Sequence, residues 1–291
     1  MQSLLTGLLQ EVISGIAIGC IYSLIALGFT LIYKASEVIN FAQGELMMVG
    51  AYINFFLITF FMDESGNPTG WNFFIAFAGS ILFAIIFGWV LDRIINKPLK
   101  DEPVFSVIMA TISLSIILRA IVSMIAGPMS IIPLSPFGNH IISVGGVVIS
   151  ILDTSIIVCA IFLVIMFYYF FHKTRWGIAI QATSEDTVAA QLMGIPIKRV
   201  YTLVWIFSAI VATLSGILLA PRMSLLDTSM GFLGLKAFPA AVLGGFGSIL
   251  GAIVGGLILG VVETISIGTL SFYFPFIKEI NDIIVWIVLI A

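Results

Sequence analysis

Ionisable and amide side chains are scarce in this sequence, and their positions limit the chemistry it can do. Asn40, Gln43 and Glu45 bring three polar groups into a stretch that turns apolar within a few residues. Arg119, Asp153 and Glu263 each stand inside a long apolar run. A charge surrounded by hydrocarbon faces a cavity or a partner of opposite sign, because leaving it bare is costly. Arg119 is therefore expected to snorkel or to pair with an acid of a neighbouring segment, with Asp153 and Glu263 as the acids in view. Asn40, Gln43 and Glu45 are read as lining a substrate path; the alternative is an interfacial loop, Glu37 to Glu45, that caps the helix after it.

Catalytic groupings are missing. The two histidines, His140 and His172, are far apart, and Cys20 and Cys159 both fall in apolar runs, so neither a metal site nor a disulfide is expected. No cofactor is expected either. The sequence contains no G-x-x-x-x-G-K-[ST] phosphate loop, no H-E-x-x-H and no G-x-S-x-G. Nucleotide hydrolysis by this chain is excluded, and transport is a better class than intramembrane catalysis.

One polar interval breaks the apolar pattern, HKTRWGIAIQATSEDTVAAQLMGIPIKRV from His172 to Val200. Lys173 and Arg175 stand at one edge, Lys198 and Arg199 at the other. Ser184 is placed to cap a helix, its hydroxyl accepting from the first free N–H groups. Glu185 and Asp186 follow where negative charge meets the positive end of the helix dipole. Gly194 falls where a left-handed terminal residue belongs, and Pro196 forbids continuation. The expected element is an isolated helix of about nine residues, Glu185 to Met193, with Val188, Leu192 and Met193 forming an apolar stripe beside the small Ala189 and Ala190.

Long apolar spans must carry these groups. Of the 291 residues 60% are apolar and 9% charged, and the mean hydropathy is +1.21. Soluble domains carry about 25% charge, and several runs reach the roughly 20 residues that cross a bilayer. The fold class is an all-α integral membrane protein, one transmembrane domain over 1–291. About eight spans are expected: Leu8–Tyr33, then one ending near Met62, Trp71–Leu91, Val104–Ile125, Val148–Phe171, Val200–Leu219, Ser248–Ile267, and a last one from near Phe276. DESGNPTG at 63–70 reads as a turn and DRIINKPLKDE at 92–102 as a polar connector. Gly127–Gly146, holding His140, reads as a loop. The segment 231–247 is too rich in glycine and proline for a regular span and is read as a half-helix or re-entrant element. Gly15 and Gly19, and the stripes 247/251/255 and 256/260, mark close helix seams. Eight basic residues fall on the side of the 172–200 loop and three on the other, which puts that loop in the cytoplasm and the N-terminus outside. No basic region precedes the first apolar run, so a cleaved signal peptide is not expected. The run still open at Ala291 raises the expectation of a missing tail. A net charge of −3 gives no reason for a nucleic-acid partner.

Ala189-Ala190-x-x-x-Gly194 resembles the cytoplasmic coupling motif of bacterial ABC-importer permeases, with Val188 where that motif has glutamate. The fuller pattern S-E-D-x-x-A-A-x-L-M-G-I more closely resembles permeases of branched-chain amino acid importers. So do GCIYSLIALG from Gly19, INFAQGE from Ile39, and the stretch from GLKAF at Gly234 to AVLGGFGS ending at Ser248. The resemblance implies a non-catalytic subunit of the bacterial plasma membrane. It would be paired with a second permease subunit, two cytoplasmic ATP-binding subunits that hydrolyse ATP, and an external substrate-binding protein. It makes Ser184, Glu185, Asp186, Val188, Ala189, Ala190, Leu192, Met193 and Gly194 the ATPase-coupling residues, and branched-chain or other hydrophobic amino acids the cargo. Permeases for urea or short amides are closely similar, and an ion-coupled secondary transporter or a structural subunit stays open from the residues alone.

Overall fold

The computed structural model describes residues 2–62, 70–99, 102–127, 129–134, 141–144, 147–223, 225–273 and 281–290. Its elements are α1 (Gln2–Ser36), α2 (Gln43–Phe60), α3 (Gly70–Leu91), α4 (Val104–Ala126), a hairpin of β1 (Ile141–Val144) and β2 (Val147–Ser150), α5 (Ile151–Lys173), α6 (Arg175–Glu185), α7 (Thr187–Leu192), α8 (Ile197–Met223), α9 (Met230–Leu235), α10 (Phe238–Gly244), α11 (Ile249–Ile265) and α12 (Asn281–Ile290). Among the described residues six helices are long and apolar enough to cross a membrane, namely α1, α3, α4, α5, α8 and α11.

The all-α membrane class holds, while the count of about eight spans is not reached on length and composition. Gln43, Glu45 and Asn54 dilute the apolar character of the 18-residue α2, and α12 has ten residues. The connector after α3 is helical instead of irregular. It runs through a π turn, Asp92–Asn96, into a short helix, Lys97–Leu99. The loop before α5 contains the hairpin, in register from Ile141↔Ser150 to Val144↔Val147, so α5 begins at Ile151 rather than Val148. The expected turn over 63–69, His140, Lys278 and the start of the last span lie outside the described residues.

The core is built around α1 and α8, whose apolar faces are largely buried, whereas α4 leaves most of its surface outside. Apolar side chains are as well solvated by lipid tails as by each other, so helix association here depends on close backbone packing. The glycines supply it. A methyl at Gly15 or Gly19 would stand 2.8 Å from the Cα of Val261 or Leu257 on α11, and Gly256 and Gly260 return the contact against Ser23 and Gly19. Ser23 Oγ adds a 2.7 Å hydrogen bond to the Ile253 carbonyl. The other expected stripe faces a different partner: Gly251 and Gly255 abut Gly244 and Ala240 of α10, and Gly247 meets open space.

The 231–247 segment is broken as expected, but it is not re-entrant. Arg222 at the end of α8 reaches Ser14 of α1, with Nη2 to Oγ at 2.7 Å. Beyond α10, the Phe246 ring lies 4.6 Å from that of Tyr33 near the other end of α1. Ser14 and Tyr33 are about 28 Å apart along the helix at 1.5 Å per residue. The chain between Leu226 and Phe246 therefore passes from one end of the bundle to the other, interrupted at Lys236 and Ala237 between α9 and α10.

Replacing Gly260 with leucine is expected to destabilise the protein by about 1–3 kcal/mol or more through overpacking, while Gly247→Ala stays within about 0.5 kcal/mol. Thermal unfolding of the purified variants in detergent compares the two directly.

Candidate functional site

Two regions concentrate polar chemistry. One lies within the helix bundle, the other at the end where α5 passes into α8.

Inside the bundle the charges pair, and not as expected. Arg119 of α4 bonds the Glu45 carboxylate at the start of α2, Arg222 bonds Asp153 of α5, and Lys236 Nζ lies 3.3 Å from Glu263 of α11. Asp153 and Glu263, the acids foreseen for Arg119, are thus taken by other bases. Tyr22 donates a 2.7 Å hydrogen bond to the second Glu263 oxygen, joining α1 to that pair. The Arg119 guanidinium also sits 3.6 Å over the Phe232 ring, a cation–π contact with α9. Gly231 has no side chain to hold off the Glu45 carboxylate, which would lie 2.8 Å from a methyl there. Glu45 Oε2 and Arg119 Nε have no hydrogen-bond partner among the described residues.

Gln43 and Glu45 occupy the first turn of α2, are buried, and do not form an interfacial loop. Ser208 Oγ lies 2.8 Å from Gln43 Oε1 and 3.2 Å from the Gly28 carbonyl, so α2 starts level with the middle of α8. The chain reaches that depth through Glu37, whose φ of 55° turns it back from the end of α1. Asn40 then accepts from the Ala42 N–H at 3.0 Å through Oδ1. That bond fixes which way the Asn40 amide points. Its Nδ2 is buried and has no partner among the described residues.

At the α5–α8 end, Thr174 caps α6 by accepting from Gly177 N–H at 3.1 Å. The absence of a side chain at Gly177 lets α6 fold against Phe170 and Phe171. No signal in the sequence marks this helix, and the expected cap, Ser184, falls inside it. Ser184 is instead in the last turn of α6, its hydroxyl donating to the Gln181 carbonyl. Asp186 is the cap of α7, its carboxylate accepting from Val188 and Ala189 N–H at 2.9 Å each. The expected nine-residue helix is therefore shortened to Thr187–Leu192, and Glu185 closes α6. Gly194 ends it at φ 84°, with Gly194 N–H bonding the Gln191 carbonyl and Ile195 N–H the Ala190 carbonyl, both at 3.0 Å. Open space surrounds Gly194, so glycine is needed there for the backbone angle and not for room. Ala190 is buried against the protein, whereas Ala189, Val188, Leu192 and Met193 face outward.

The first turns of α8 are fastened to the π turn that extends α3 by Asp92, a fully buried carboxylate in what the sequence presents as a polar connector. It accepts from Thr202 Oγ1 at 2.6 Å and Asn96 Nδ2 at 2.8 Å, with Lys97 Nζ 3.4 Å away. Only burial marks Asp92 out, and burial depends on α8 packing over it. Beside this junction opens a cavity of about 160 Å³, walled by Ile32, Asn40, Glu102, Thr111, Tyr201 and Trp205. Of the three residues read as lining a path, Asn40 borders this cavity, and Gln43 and Glu45 do not. Among the described residues no cluster of side chains could hold a metal ion.

Glu45→Gln strands a guanidinium and is expected to cost close to the lower end of about 3–5 kcal/mol, because the Arg119 side chain is still 28% exposed. Adding Arg119→Met to that variant should recover most of the loss. A Glu45→Gln variant as stable as the wild type in thermal melts would show that the pair contributes nothing, and a double variant no more stable than the single one would show that the loss does not come from the stranded guanidinium.

The family described as branched-chain amino acid transport system / permease component matches residues 12–291. The high-affinity branched-chain amino acid transport system permease protein LivH of Escherichia coli (strain K12) is 34% identical over 289 residues, covering 97% of this chain and 91% of the relative. The corresponding protein BraD of Pseudomonas aeruginosa is 35% identical over 261 residues, with 88% and 85% covered. A probable branched-chain permease of Methanocaldococcus jannaschii is 30% identical over 247 residues, with 83% and 76% covered. No solved structure matches the chain. Shared sequence over nearly its whole length, together with its apolar helices, makes this chain a multi-pass membrane protein of the branched-chain amino acid permease family.

Proposed function

We propose that the chain is the permease subunit of an ATP-driven importer that moves branched-chain or other hydrophobic amino acids inward. In this reading it works with a second permease subunit, two cytoplasmic ATP-binding subunits and an external substrate-binding protein. The chain sits in a bacterial inner membrane with its N-terminus outside and the 172–200 loop in the cytoplasm. α7 docks in a groove of the ATP-binding subunit. The observation that carries this is the exposure of a compact apolar stripe on a polar loop: Val188 is 69%, Leu192 83% and Met193 84% exposed. Burying such side chains against a partner is favourable at roughly 25 cal/mol per Å², and methionine adapts its shape to an irregular pocket.

Force applied to α7 has a short route inward. The helix is closed at both ends by its own bonds, Ile195 packs against the core, and α8 begins two residues later. Thr202 in the second turn of α8 then engages Asp92, so a shift of α7 loads the α8–α3 contact. In the same reading, Glu185 and Asp186 at the α6–α7 corner set the tilt of the docked helix and Ser184 holds the last turn of α6, while Ala189 lets the partner approach the backbone.

Leu192→Asp should cut ATP-driven leucine uptake in reconstituted vesicles about tenfold or more and release the ATP-binding subunits on purification, with the second permease retained. Gly194→Val, forced into a left-handed backbone at about 1–3 kcal/mol, should impair uptake, and Gly194→Asn should be tolerated. Undiminished ATP-driven uptake in Leu192→Asp would refute the docking. Uptake by the chain alone, driven by an ion gradient, would make it a secondary carrier, and preferred uptake of urea or short amides would refute the cargo.

A further inference from the structure

The cavity beside the α3–α8 junction has a lining that reads as a set of complementary groups. It is bounded by the last turns of α1, the returning segment through Asn40, the end of the α3 extension, the start of α4 and the start of α8. All of these lie at the same end of the bundle as the 172–200 loop. A buried amide donor without a partner is uncommon, because its desolvation is not offset by a hydrogen bond. Asn40 is 1% exposed, and since Oδ1 is held by the Ala42 N–H, the idle group is the Nδ2 donor. The 23-residue α4 opens onto the same cavity through Val104 and Val107, with Pro103 as its cap and no side chain capping it. Its free N–H groups and the positive end of its dipole favour an anion. Glu102 brings a carboxylate to the rim, with no base paired to it among the described residues. Ile32, Val107 and Trp205 supply an apolar wall.

We propose that this cavity is an inward-side binding site for a free α-amino acid in its zwitterionic form. The carboxylate takes the Asn40 Nδ2 donor and the N-terminus of α4, the ammonium takes Glu102, and an aliphatic side chain rests on Ile32, Val107 and Trp205. A donor, an acceptor and a hydrocarbon wall within one cavity of about 160 Å³ select a small molecule carrying all three features. The site deepens the transport reading above and rests on it. It gives the permease a preference of its own, applied after the external binding protein has released its cargo. Asn40 thereby has two uses: one oxygen shapes the backbone turn and one nitrogen meets the substrate.

The test uses the assembled transporter in vesicles and a diazirine analogue of leucine as photoprobe. Label is expected on peptides containing Ile32–Asn40, Glu102–Thr111 or Tyr201–Trp205. Leucine should compete for it, whereas 3-methylbutylamine, which lacks the carboxylate, and 4-methylpentanoate, which lacks the ammonium, should not. Asn40→Asp keeps the oxygen that caps Ala42 and places like charge against the carboxylate. It should lower labelling and raise KM for leucine about tenfold or more, at some cost in stability because Asn40 is buried; the exposed Glu102→Gln should have the same effect on labelling and KM with unchanged thermal unfolding. Normal leucine uptake with label elsewhere would overturn the site and leave the transport reading standing. Competition by the amine or the acid as strong as by leucine would do the same. Failure of the complex to take up any amino acid would overturn both.

Discussion

Polar groups held within hydrocarbon must find partners, and much of this structure follows from that one constraint. Lipid tails offer no hydrogen bonds, so each intramembrane charge is either neutralised by a neighbouring helix or destabilises the fold by several kcal/mol. Glu45–Arg119 holds α2 to α4, Asp153–Arg222 holds α5 to α8, and Glu263–Lys236 holds α11 to the break between α9 and α10. Each acid accepts one particular base, so the pairs specify which helices are neighbours as well as stabilising them. The glycine contacts between α1 and α11 act differently. They supply close packing without selecting a partner by charge, and Ser23 and Tyr22 of α1 add the directional bonds.

The broken crossing between α8 and α11 follows from the same constraint. A chain that leaves helical geometry inside a membrane exposes backbone groups, which is tolerable only when protein surrounds them. Here α10 lies along α11 with Gly244 against Gly251, and α9 lies on the start of α2 with Gly234 against Gly44. Lys236 falls at the break itself, where its long side chain reaches Glu263. An element so placed touches α1, α2 and α11 together, so its position is coupled to most of the bundle.

The membrane class, most helices and the break near 231–247 were legible because hydropathy and glycine spacing are properties of adjacent residues. Pairing was not. Arg119 meets Glu45 across 74 residues, and nothing in the sequence ranks Glu45 above Asp153 or Glu263 as its acid. The hairpin at Ile141–Ser150 was missed because it has only four residues in each strand, and α6 because its start depends on Thr174 and Gly177 in a stretch that reads as generally polar. The cap of α7 was placed two residues early. Ser184, Glu185 and Asp186 are all acceptable caps by type, and the choice falls on Asp186 because α6 continues through Glu185 and the extended residue comes after it. Asn40 was legible as a polar oddity, but its idle nitrogen depends on an oxygen already engaged by Ala42.

A six-residue helix has almost no stability of its own in water, because nucleation costs more than so few hydrogen bonds return. α7 must therefore take its order from its ends. The Asp186 carboxylate engages two N–H groups, and the Gly194 turn engages two carbonyls. With both ends closed and Ala190 seated on the protein, the outward stripe of Val188, Leu192 and Met193 is presented by a rigid unit and not by a floppy loop. Shortness combined with tight capping ties the stripe to α6 on one side and α8 on the other.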